Sequence, residues 1–592
     1  MQPLTHADQQ RQPDKLLLIT DRTSPSNRYG PYVGEILRSE GLLTYQMEDL
    51  ASVNEKLLAE SCVAILTRCT ITPKERDLLS NYVTEGGQLI LIAPQFIWQT
   101  AIGLLPLPSA ILDGYVKLAI REPFSRGLPA ESFQFHGISQ KWTLNGATAL
   151  ASLYSGPAGA TACAAIALHQ LGKGRVITFT YDVGECVAGI RQGNPRLASS
   201  KLDDTNFSIR AGDLFGAGWL DPTKEHIPQA DIHQAMLARA IEFLSPIPLP
   251  RLWYLPGMAR SILLLTGDGE VAPPEDFQAE IDSVERFGGH VTIYLKEDCK
   301  ISPEQEAAWR ERGHDFGLHP WAGPDATIQL QRQEWARMEN WFRARYGHPS
   351  RTIRSHWLQW CGYTDTARVL ADIGVPMDTN YVSTPPSHGK YMVGSGRAMR
   401  FVTEAGEILP VWQQPTHLED DVLLRVDSGY KYNPISINLS TDEGVSLCTE
   451  LLTSSAEHYH TPIMMNLHPP FYPRFAGAWL DRTLEFAHAK GIPLWNAKQW
   501  MDFVAARDAV QLKITGYDWK QNKLSFCLPA ADGSADLTLC VPDYHEGKRI
   551  SQIKRAGTPV ERTSMTIQDK NYAVIPITNG ELSFEVFYEP EA

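Results

Sequence analysis

Short apolar runs separated by helix-length amphipathic segments recur along most of the chain. Near the start, residues 15–20 and 62–67 have the apolar composition of strands that are buried on both faces. Residues 73–84 have helical periodicity, and Gly86 and Gly87 follow them. Strands that alternate with helices in this way predict right-handed βαβ units and a parallel sheet.

A second region with the same alternation begins after the proline-rich segment 246–250, which is typical of a stiff linker. Its predicted strands are 261–265, 290–294, 315–318, 352–354, 462–466 and 492–495. A helix is predicted after each of them, which favours a (β/α) barrel with eight strands or fewer. The residues after 508 contain short strands at regular spacing, a pattern typical of a small antiparallel β-sandwich.

These patterns predict an α/β multidomain protein, as expected for a chain of 592 residues. The predicted ranges are a disordered N-terminus at 1–14, an α/β domain with a flavodoxin-like parallel sheet at 15–248, a (β/α) barrel at 251–508 and a β-sandwich at 509–592. The sandwich is expected either to bind carbohydrate or to pack against the rest of the chain.

Charge and cysteine content narrow the function classes. A formal net charge of -14 argues against a general nucleic-acid or anionic-membrane partner. The nine cysteines are scattered and form no CxxC motif, which is typical of reduced thiols in a cytoplasmic protein. No signal peptide or transmembrane stretch is recognisable, so we expect a cytoplasmic location, with a removed signal as the alternative. An oligomer is compatible with all of this.

Four predicted strand ends in the second region carry polar groups that packing does not require. They are the segments Thr266–Glu270, Gly313–Trp321, Arg354–Trp360 and Met465–Phe471. A single histidine in such a place is more often a hydrogen-bonded structural residue than a ligand. Four polar strand ends in one barrel pattern are expected to meet, because ligands bind at the carboxyl ends of parallel strands. Imidazole and carboxylate groups together predict a divalent transition metal: Zn, Mn, Co or Fe.

Further polar and aromatic residues surround these motifs. Residues 409–421 bring additional polar groups to a strand end, where buried carboxylate–histidine pairing is the simpler interpretation. The polar segment 182–221 is interpreted as a surface loop, and covering a neighbouring site is its alternative. The aromatic residues near the motifs are Trp321, Trp357, Trp360, Tyr363, Phe471, Tyr472 and Trp495. A saccharide cleft and ordinary packing at a barrel rim explain them equally well.

Residues 255–508 resemble the polysaccharide deacetylase (NodB homology) superfamily, which includes carbohydrate esterase family four. The segment LLLTGDGE stands where that family has its Thr-Phe-Asp-Asp-Gly motif, and GHDFGLHPW resembles the family's first histidine motif. RSHWLQW resembles its arginine motif, MMNLHPPF its late Leu-x-His motif, and IPLWNAKQWMDF its closing strand and helix. The resemblance implies a barrel of deacetylase type that binds a metal and removes N- or O-acetyl groups from saccharides.

The family uses one Asp as general base, a second Asp and two His as metal ligands, and the late His as general acid. Carried over to this chain, the resemblance places Asp268 at the first acid and His319 at the first metal histidine. Arg354 matches the motif arginine, and His468 matches the histidine that acts as the acid.

Two positions depart from the family pattern. Gly269 stands where the second acid is expected, with Glu270 one place later, and Gly323 stands where the second metal histidine is expected. The predicted metal set, in which His356 is the replacement, is Asp268, His319 and His356. The predicted catalytic residues are Asp268, Glu270, Arg354 and His468. Glu270 is either a substitute ligand or a general base, and the sequence does not divide these roles between it and Asp268.

The segment ILTRCTITPKERDLLSNYVTEGGQLILIAP in the first region resembles the class I glutamine-amidotransferase-like fold, in its trehalose-utilisation-protein-like and galactosidase-trimerisation-like branches. A nucleophile elbow in that family needs small residues on both sides of its cysteine. Cys69 lies between Arg68 and Thr70, and no Gly-x-Cys-x-Gly occurs. The sequence therefore predicts that this domain is not catalytic.

The leading hypothesis is a metal-dependent hydrolase of deacetylase type that acts on an acetylated saccharide or another non-peptide C–N bond. The alternative is a saccharide-binding or assembly protein that kept the barrel and lost catalysis, which Gly269 and Gly323 favour. Glutamine-dependent amide transfer by the first region is a weaker third hypothesis, because no nucleophile elbow is present.

Overall fold

The computed structural model describes residues 13–120, 123–202, 208–425, 435–531 and 533–591. The predicted disordered N-terminus lies outside the described residues, apart from Pro13 and Asp14. The chain groups into two compact units. The first unit comprises Met1–Gly189, Asp231–Gly257 and Ala506–Ala592, and the second unit comprises Ile190–Ala230 and Met258–Ala505. The domain ranges 15–248, 251–508 and 509–592 stay a prediction.

The elements before residue 258 alternate between strand and helix at first and are mostly strands after residue 103. The strands are β1 Lys15–Thr20, β2 Tyr45–Asp49, β3 Ser61–Leu66, β4 Gln88–Ile92, β5 Leu104–Leu112, β6 Tyr115–Leu118, β7 Phe133–Gln134, β8 Ile138–Leu144, β9 Thr148–Tyr154, β10 Ala160–Leu171, β11 Gly174–Phe179 and β12 Arg251–Leu252. The helices are α1 Tyr32–Ser39, α2 Glu55–Ala59, α3 Pro73–Thr84, α4 Gln99–Ile102, α5 Val183–Gln192 and α6 Gln229–Leu244.

The middle of the chain mostly alternates strand and helix, but four strands follow one another between residues 373 and 420. Its strands are β13 Ile262–Asp268, β14 Thr292–Leu295, β15 Asp315–Leu318, β16 Thr352–Ile353, β17 Met377–Asp378, β18 Met399–Val402, β19 Ile408–Gln413, β20 Leu418–Glu419, β21 Pro462–Leu467 and β22 Leu494–Asn496. Its helices are α7 Pro274–Arg286, α8 Pro303–Glu311, α9 Ile328–Tyr346, α10 Asp365–Ile373, α11 Asp420–Leu423, α12 Thr441–Ser454, α13 Gly477–Ala489 and α14 Ala497–Ala509.

The remaining elements are all strands. They are β23 Lys513–Asp518, β24 Lys523–Ala531, β25 Thr538–Pro542, β26 Tyr544–His545, β27 Lys548–Arg555, β28 Thr558–Pro559, β29 Thr563–Ile567, β30 Lys570–Pro576 and β31 Gly580–Pro590. They belong to two antiparallel sheets of the first unit, in the orders β12-β25-β30-β29 and β23-β24-β31-β27-β26, with β28 paired to β27.

The main sheet of the first unit has the order β2-β1-β3-β4-β11-β10-β9-β6-β7. Its first five strands are parallel, as the alternating pattern predicts. From β11 onward the pairing is antiparallel, an extension that the sequence pattern did not predict. Antiparallel strands need no intervening helix, so the strand–helix alternation disappears from this part of the sequence.

The sheet of the second unit curls until one segment pairs with both of its ends. Its parallel strands follow the order β19-β17-β16-β15-β14-β13-β21-β20, while β22 also pairs with β13 and β18 pairs antiparallel with β19. The extended segment 408–419 contains both β19, at one end of this order, and β20, at the other. The prediction of a mixed α/β multidomain chain is therefore confirmed, and the predicted (β/α) barrel of deacetylase type stays a proposal.

Apolar burial and helix capping explain why these elements form where they do. Every residue of β13 is buried, and burying each Leu or Ile side chain contributes about 1.5–3 kcal/mol to the free energy of folding. Ser302 and Ser440 begin α8 and α12 with capping boxes. Strands β17 to β20 were not among the predicted strands. Of these, β17 and β20 have two residues each and so carry no periodicity of their own.

Among the described residues, no helix is long and apolar enough to cross a membrane.

Candidate metal and catalytic site

Strand ends of the second unit converge on one pocket of about 320 Å³. Asp268 is the last residue of β13, and His319 and His468 directly follow β15 and β21. These strands are parallel, so their carboxyl ends lie on the same side of the sheet. The predicted residues that line the pocket are Asp268, Glu270, His319, His356 and His468. The sixth, Arg354, is buried behind Asp268.

Glu270 brings two histidines together. His319 Nε2 and His356 Nε2 each lie 3.2 Å from the same oxygen, Glu270 Oε1. A tetrahedral cation with ligand bonds of about 2.0–2.1 Å holds its ligand atoms roughly 3.3 Å apart. The observed separations match the edges of such a tetrahedron. Glu270, His319 and His356 therefore fit a divalent metal.

The tautomer of His319 supports this fit. Its Nδ1 lies 2.9 Å from the carbonyl oxygen of Arg354, so Nδ1 carries the proton and donates it there. This anchoring leaves Nε2 as the ring atom that faces Glu270 Oε1, at 3.2 Å. A metal-binding histidine commonly has its other nitrogen anchored in this manner.

Burial and charge around Glu270 favour its ionised form. Burial works against the charge, but the two imidazoles hold the pKa of Glu270 well below its usual range. Burial lowers the pKa of His356, which keeps this ring neutral and able to accept a cation. Lys296, which follows β14, forms an ion pair with the other oxygen of Glu270 at 3.0 Å.

The backbone explains why the second acid stands one place late. A Cβ atom at Gly269 would come within 2.9 Å of Phe277 Cζ and 3.0 Å of the Tyr294 carbonyl oxygen. An aspartate therefore has no room at position 269. The chain instead turns through Glu270, whose φ of 42° is unusual for a residue other than glycine. This turn directs the Glu270 side chain towards His319.

Gly323, where a second histidine was expected, has a backbone role. Its φ of 90° favours glycine. Its carbonyl oxygen accepts hydrogen bonds from Gln359 Nε2 at 2.8 Å and from Ser208 Oγ at 3.1 Å. Ser208 belongs to the described part of the polar segment 182–221, so that segment contributes to the second unit near the pocket.

Asp268 lies between His319 and His468. Its Oδ2 is 3.9 Å from His319 Nε2 and 3.8 Å from His468 Nε2, while its Oδ1 lies 3.4 Å from Arg354 Nε. Arg354 also donates from Nη2 to Thr416 Oγ1, which belongs to the segment that joins the two ends of the sheet. The arginine therefore fixes the position of the Asp268 carboxylate and balances its charge.

His468 is held by a carboxylate of its own. Its Nδ1 lies 2.7 Å from Asp420 Oδ1, and its backbone N–H donates to Asp420 Oδ2 at 2.8 Å. Burial opposes a charge on this ring, but Asp420 and Asp421 more than offset it and raise the pKa of His468 well above its usual value. His468 is therefore protonated at neutral pH and can donate a proton from Nε2. The carboxylate–histidine pairing expected for the segment 409–421 is therefore the contact between Asp420 and His468.

Two more buried carboxyl groups adjoin Asp268 and His468. Glu419 is 5% exposed and Glu280, on α7, is 1% exposed. Burial raises the pKa of Glu419 to about 8, and it raises the pKa of Glu280 well above its usual value. One oxygen of each group, Oε2, has no hydrogen-bond partner within the described part of the chain.

The aromatic residues near the motifs divide into two classes. Trp360, Tyr363 and Phe471 are buried and pack in the core. Trp321 is 39% exposed and stands edge-on to the ring of His356, with 5.5 Å between ring centroids. Trp357 lines the pocket from a left-handed backbone with a φ of 58°. Of these aromatic residues, Trp357 and Phe471 line the pocket.

Several site residues were not among the sequence predictions. Glu280 lies on the apolar face of α7 with Phe277 and Ile281, and an acid in that stripe is the signal that would have identified it. Lys296 directly follows a strand, as the predicted site residues do. Arg210 lines the pocket from the segment 190–230, and no sequence pattern marks it.

Comparisons with known proteins find distant structural likeness only. No family model and no curated protein matches the sequence. Agd3, described as a novel carbohydrate deacetylase, aligns with 97% of this chain and 99% of its own length at 9% identity and a TM-score of 0.42. A protein from Mycobacterium smegmatis assigned as a polysaccharide deacetylase aligns with 43% of this chain and 94% of its own length, at 12% identity and a TM-score of 0.35. TM-scores this low carry no conclusion about activity.

Proposed function

We propose that the second unit is a metal-dependent hydrolase of polysaccharide-deacetylase type. It would remove acetyl groups from a saccharide or cleave another non-peptide C–N bond. The observation that carries the proposal is the convergence of two imidazole Nε2 atoms on one oxygen of Glu270, beside the Asp268–Arg354 and His468–Asp420 pairs.

Glu270, His319 and His356 would hold the metal. This assignment uses Glu270 as the substitute ligand and frees Asp268, whose nearest histidine nitrogens are 3.8 and 3.9 Å away. A divalent cation in this place supplies Lewis-acid chemistry, which polarises an acyl carbonyl and makes a nearby water more acidic.

Asp268 would act as the general base. Asp268 lines the pocket, and its Oδ1 forms an ion pair with Arg354 that orients the carboxylate. The base takes a proton from the attacking water at Oδ2 as the water adds to the acyl carbon. Arg354 touches no substrate in this scheme and acts as a positioning residue.

His468 would act as the general acid. Its imidazolium is fixed by Asp420 at Nδ1, so the proton at Nε2 points into the pocket and is available for the leaving nitrogen or oxygen. Asp268 and His468 thus carry opposite proton-transfer roles 3.8 Å apart. Trp357 lines the pocket and Trp321 stands edge-on to His356, so both rings lie near the site and could stack on a saccharide ring.

The test combines metal content with turnover. We expect about one equivalent of tightly held Zn, Mn, Co or Fe by elemental analysis, and acetate release from chitooligosaccharides or acetylxylan that a chelator abolishes. Glu270→Gln and His319→Ala should remove both metal and activity, whereas Glu450→Gln, on the outside of α12, should change neither. Protein that holds no metal and is inert on these substrates would refute the proposal. A metal-free protein that binds saccharide, with Asp268→Asn binding equally well, would favour the alternative of a non-catalytic saccharide-binding protein.

A further inference from the structure

A second group of ligating side chains lies beside the proposed metal site. One atom each of Asp268, Glu419 and His468 lies within 4.8 Å of the other two. All three residues are more than nine-tenths buried. The proposed function gives no role to Glu419, although this carboxyl group lines the pocket.

The hydrogen bonds of Glu419 are incomplete. Its Oε1 accepts from Asn466 Nδ2 at 3.3 Å, but its Oε2 is buried and has no hydrogen-bond partner among the described residues. A buried polar atom without a partner is costly, and most such atoms in proteins are paired or bind water or an ion. Glu280 adds another buried carboxyl oxygen without a partner in the described chain. This place therefore has more buried carboxyl oxygen than the hydrogen bonds of the described residues satisfy.

The orientation of His468 suits a metal ligand as well as an acid, and a bound cation would take the place of the proton at Nε2. Asp420 anchors Nδ1, which leaves Nε2 facing Asp268 Oδ2 at 3.8 Å. An imidazole anchored by a carboxylate on its far nitrogen is the common arrangement of histidine ligands. His319 is anchored in the same manner by a backbone carbonyl, so both imidazoles flanking Asp268 present Nε2 to it.

A competing group of Asp420, Asp421 and His468 is also close enough to bind a cation. Asp420 is already saturated, however. Its Oδ1 accepts from His468 Nδ1 and from the backbone N–H of Asp421, and its Oδ2 accepts from the backbone N–H of His468. The incomplete bonding of Glu419 therefore selects the group that contains it.

We propose that Asp268, Glu419 and His468 bind a second divalent cation, which inhibits the hydrolase by occupying its base and its acid. The inhibition rests on the proposed function, whereas the binding does not. Two carboxylates and one imidazole suit Mn²⁺ or Zn²⁺. This site is the weaker of the two, because it offers one histidine and because Arg354 stands 3.4 Å from Asp268 Oδ1.

Binding is tested without any assay of activity. The full-length protein is stripped with a chelator and titrated with Mn²⁺, and free Mn²⁺ is followed by electron paramagnetic resonance. We expect two ions per chain, with the second bound at least about tenfold more weakly, because the Arg354 guanidinium lies beside Asp268 and repels a cation there. Spin coupling between the two ions should appear as the second site fills, because Asp268 adjoins both groups.

Matched variants assign the sites. Glu419→Gln should lower the count from two to one by removing the weak site, and His356→Ala should weaken the tight site instead. Glu419→Asp, which withdraws the carboxylate by one methylene, should keep two sites but weaken the second at least about tenfold. Glu450→Gln makes the same charge change on α12 and should bind as the wild type does. A wild-type count that stops at one, or a Glu419→Gln count that stays at two, would overturn the second site.

Turnover then tests the inhibition. Acetate release should rise as the first ion binds and fall as the second binds, and Glu419→Gln should move only the falling phase to higher Mn²⁺ concentration. Two bound ions with no falling phase would overturn the inhibition and leave the binding intact. If only one ion binds and the protein is active, the second site is contradicted but the proposed hydrolase is not. If no ion binds and the protein is inactive, both the second site and the proposed hydrolase are contradicted.

Discussion

Both units contain parallel strands whose ends carry polar residues. The hydrogen bonds that those residues make differ between the two units. In the first unit, Asn27 Nδ2 donates to Thr67 Oγ1 at 2.7 Å and lies 3.5 Å from Cys69 Sγ. Burial raises the pKa of Cys69 to about 12, so this thiol stays protonated at neutral pH. In the second unit, two histidines converge on one carboxylate, and two buried carboxyl groups lack full pairing within the described residues.

The comparison distinguishes a strand end whose polar groups only stabilise the fold from one whose polar groups can bind or react. Polar groups that satisfy one another stabilise the turn after a strand and leave nothing for a substrate. Buried acids with unused hydrogen-bonding capacity are favoured candidates for a role in binding or catalysis. The position of a residue at a strand end is therefore weaker evidence of function than the state of its hydrogen bonds.

The largest expected effect comes from removing the carboxylate that joins the histidines. Glu270→Gln should reduce acetate release by about 10³-fold or more and abolish tight metal binding, because Lewis-acid stabilisation contributes several kcal/mol. Acetate assays and elemental analysis measure the two losses. If the Glu270→Gln protein still bound metal and kept full activity, the proposed functional difference between the strand ends of the two units would be contradicted.

Asp420→Asn should lower kcat by about 10²–10⁴-fold, as expected when an acid loses its partner. The charge of Asp420 raises the pKa of His468, and the acid form is lost as pH rises through that pKa. Without this charge the pKa falls, so the alkaline limb of the kcat profile should move to lower pH. Asp421→Asn should move it less, because Asp420 bonds the ring directly. Profiles that superimpose in all three proteins would count against His468 as the acid.

The metal-free protein should lose stability as pH rises from about 4.5 to about 8. Burial raises the pKa of Glu419 to about 8 in the folded state, so folded protein holds a proton there that unfolded protein has released, and stability falls with pH. Glu419→Gln should flatten this slope and give a higher melting temperature than the wild type at pH 8. Thermal melts in chelator at several pH values measure the slope. Equal slopes in both proteins would contradict this burial effect.

The smallest effect is expected at Cys69. Cys69→Ala should leave acetate release and metal content unchanged and cost about 1 kcal/mol or somewhat more through lost packing. The native thiol should resist alkylation at pH 8, since its pKa of about 12 leaves little thiolate. Denaturant melts and alkylation followed by mass spectrometry check both statements. Glutaminase activity that Cys69→Ala abolishes would reverse the comparison between the units.

The sequence by itself determined the elements whose period is visible within one segment. Apolar runs and capping residues place β1, β13, β15 and β21 within a few residues of their observed bounds, because strand and helix periodicity are local properties. The same runs locate Asp268, His319, Arg354 and His468 at strand ends. The sequence also marks Gly269 and Gly323 as departures from a familiar pattern, without a reason for either.

Tertiary structure alone decided which of these groups meet. Gly269 leaves no room for a side chain and the turn at Glu270 has a positive φ, so Glu270 rather than its neighbour reaches the histidines. Asp420 reaches His468 because the segment 408–419 pairs with both ends of the curled sheet, a closure that depends on two-residue strands without any pattern. Contacts between residues 48 or 49 positions apart, such as Glu270–His319 and Asp420–His468, depend on strand pairing and loop closure. No local periodicity encodes them.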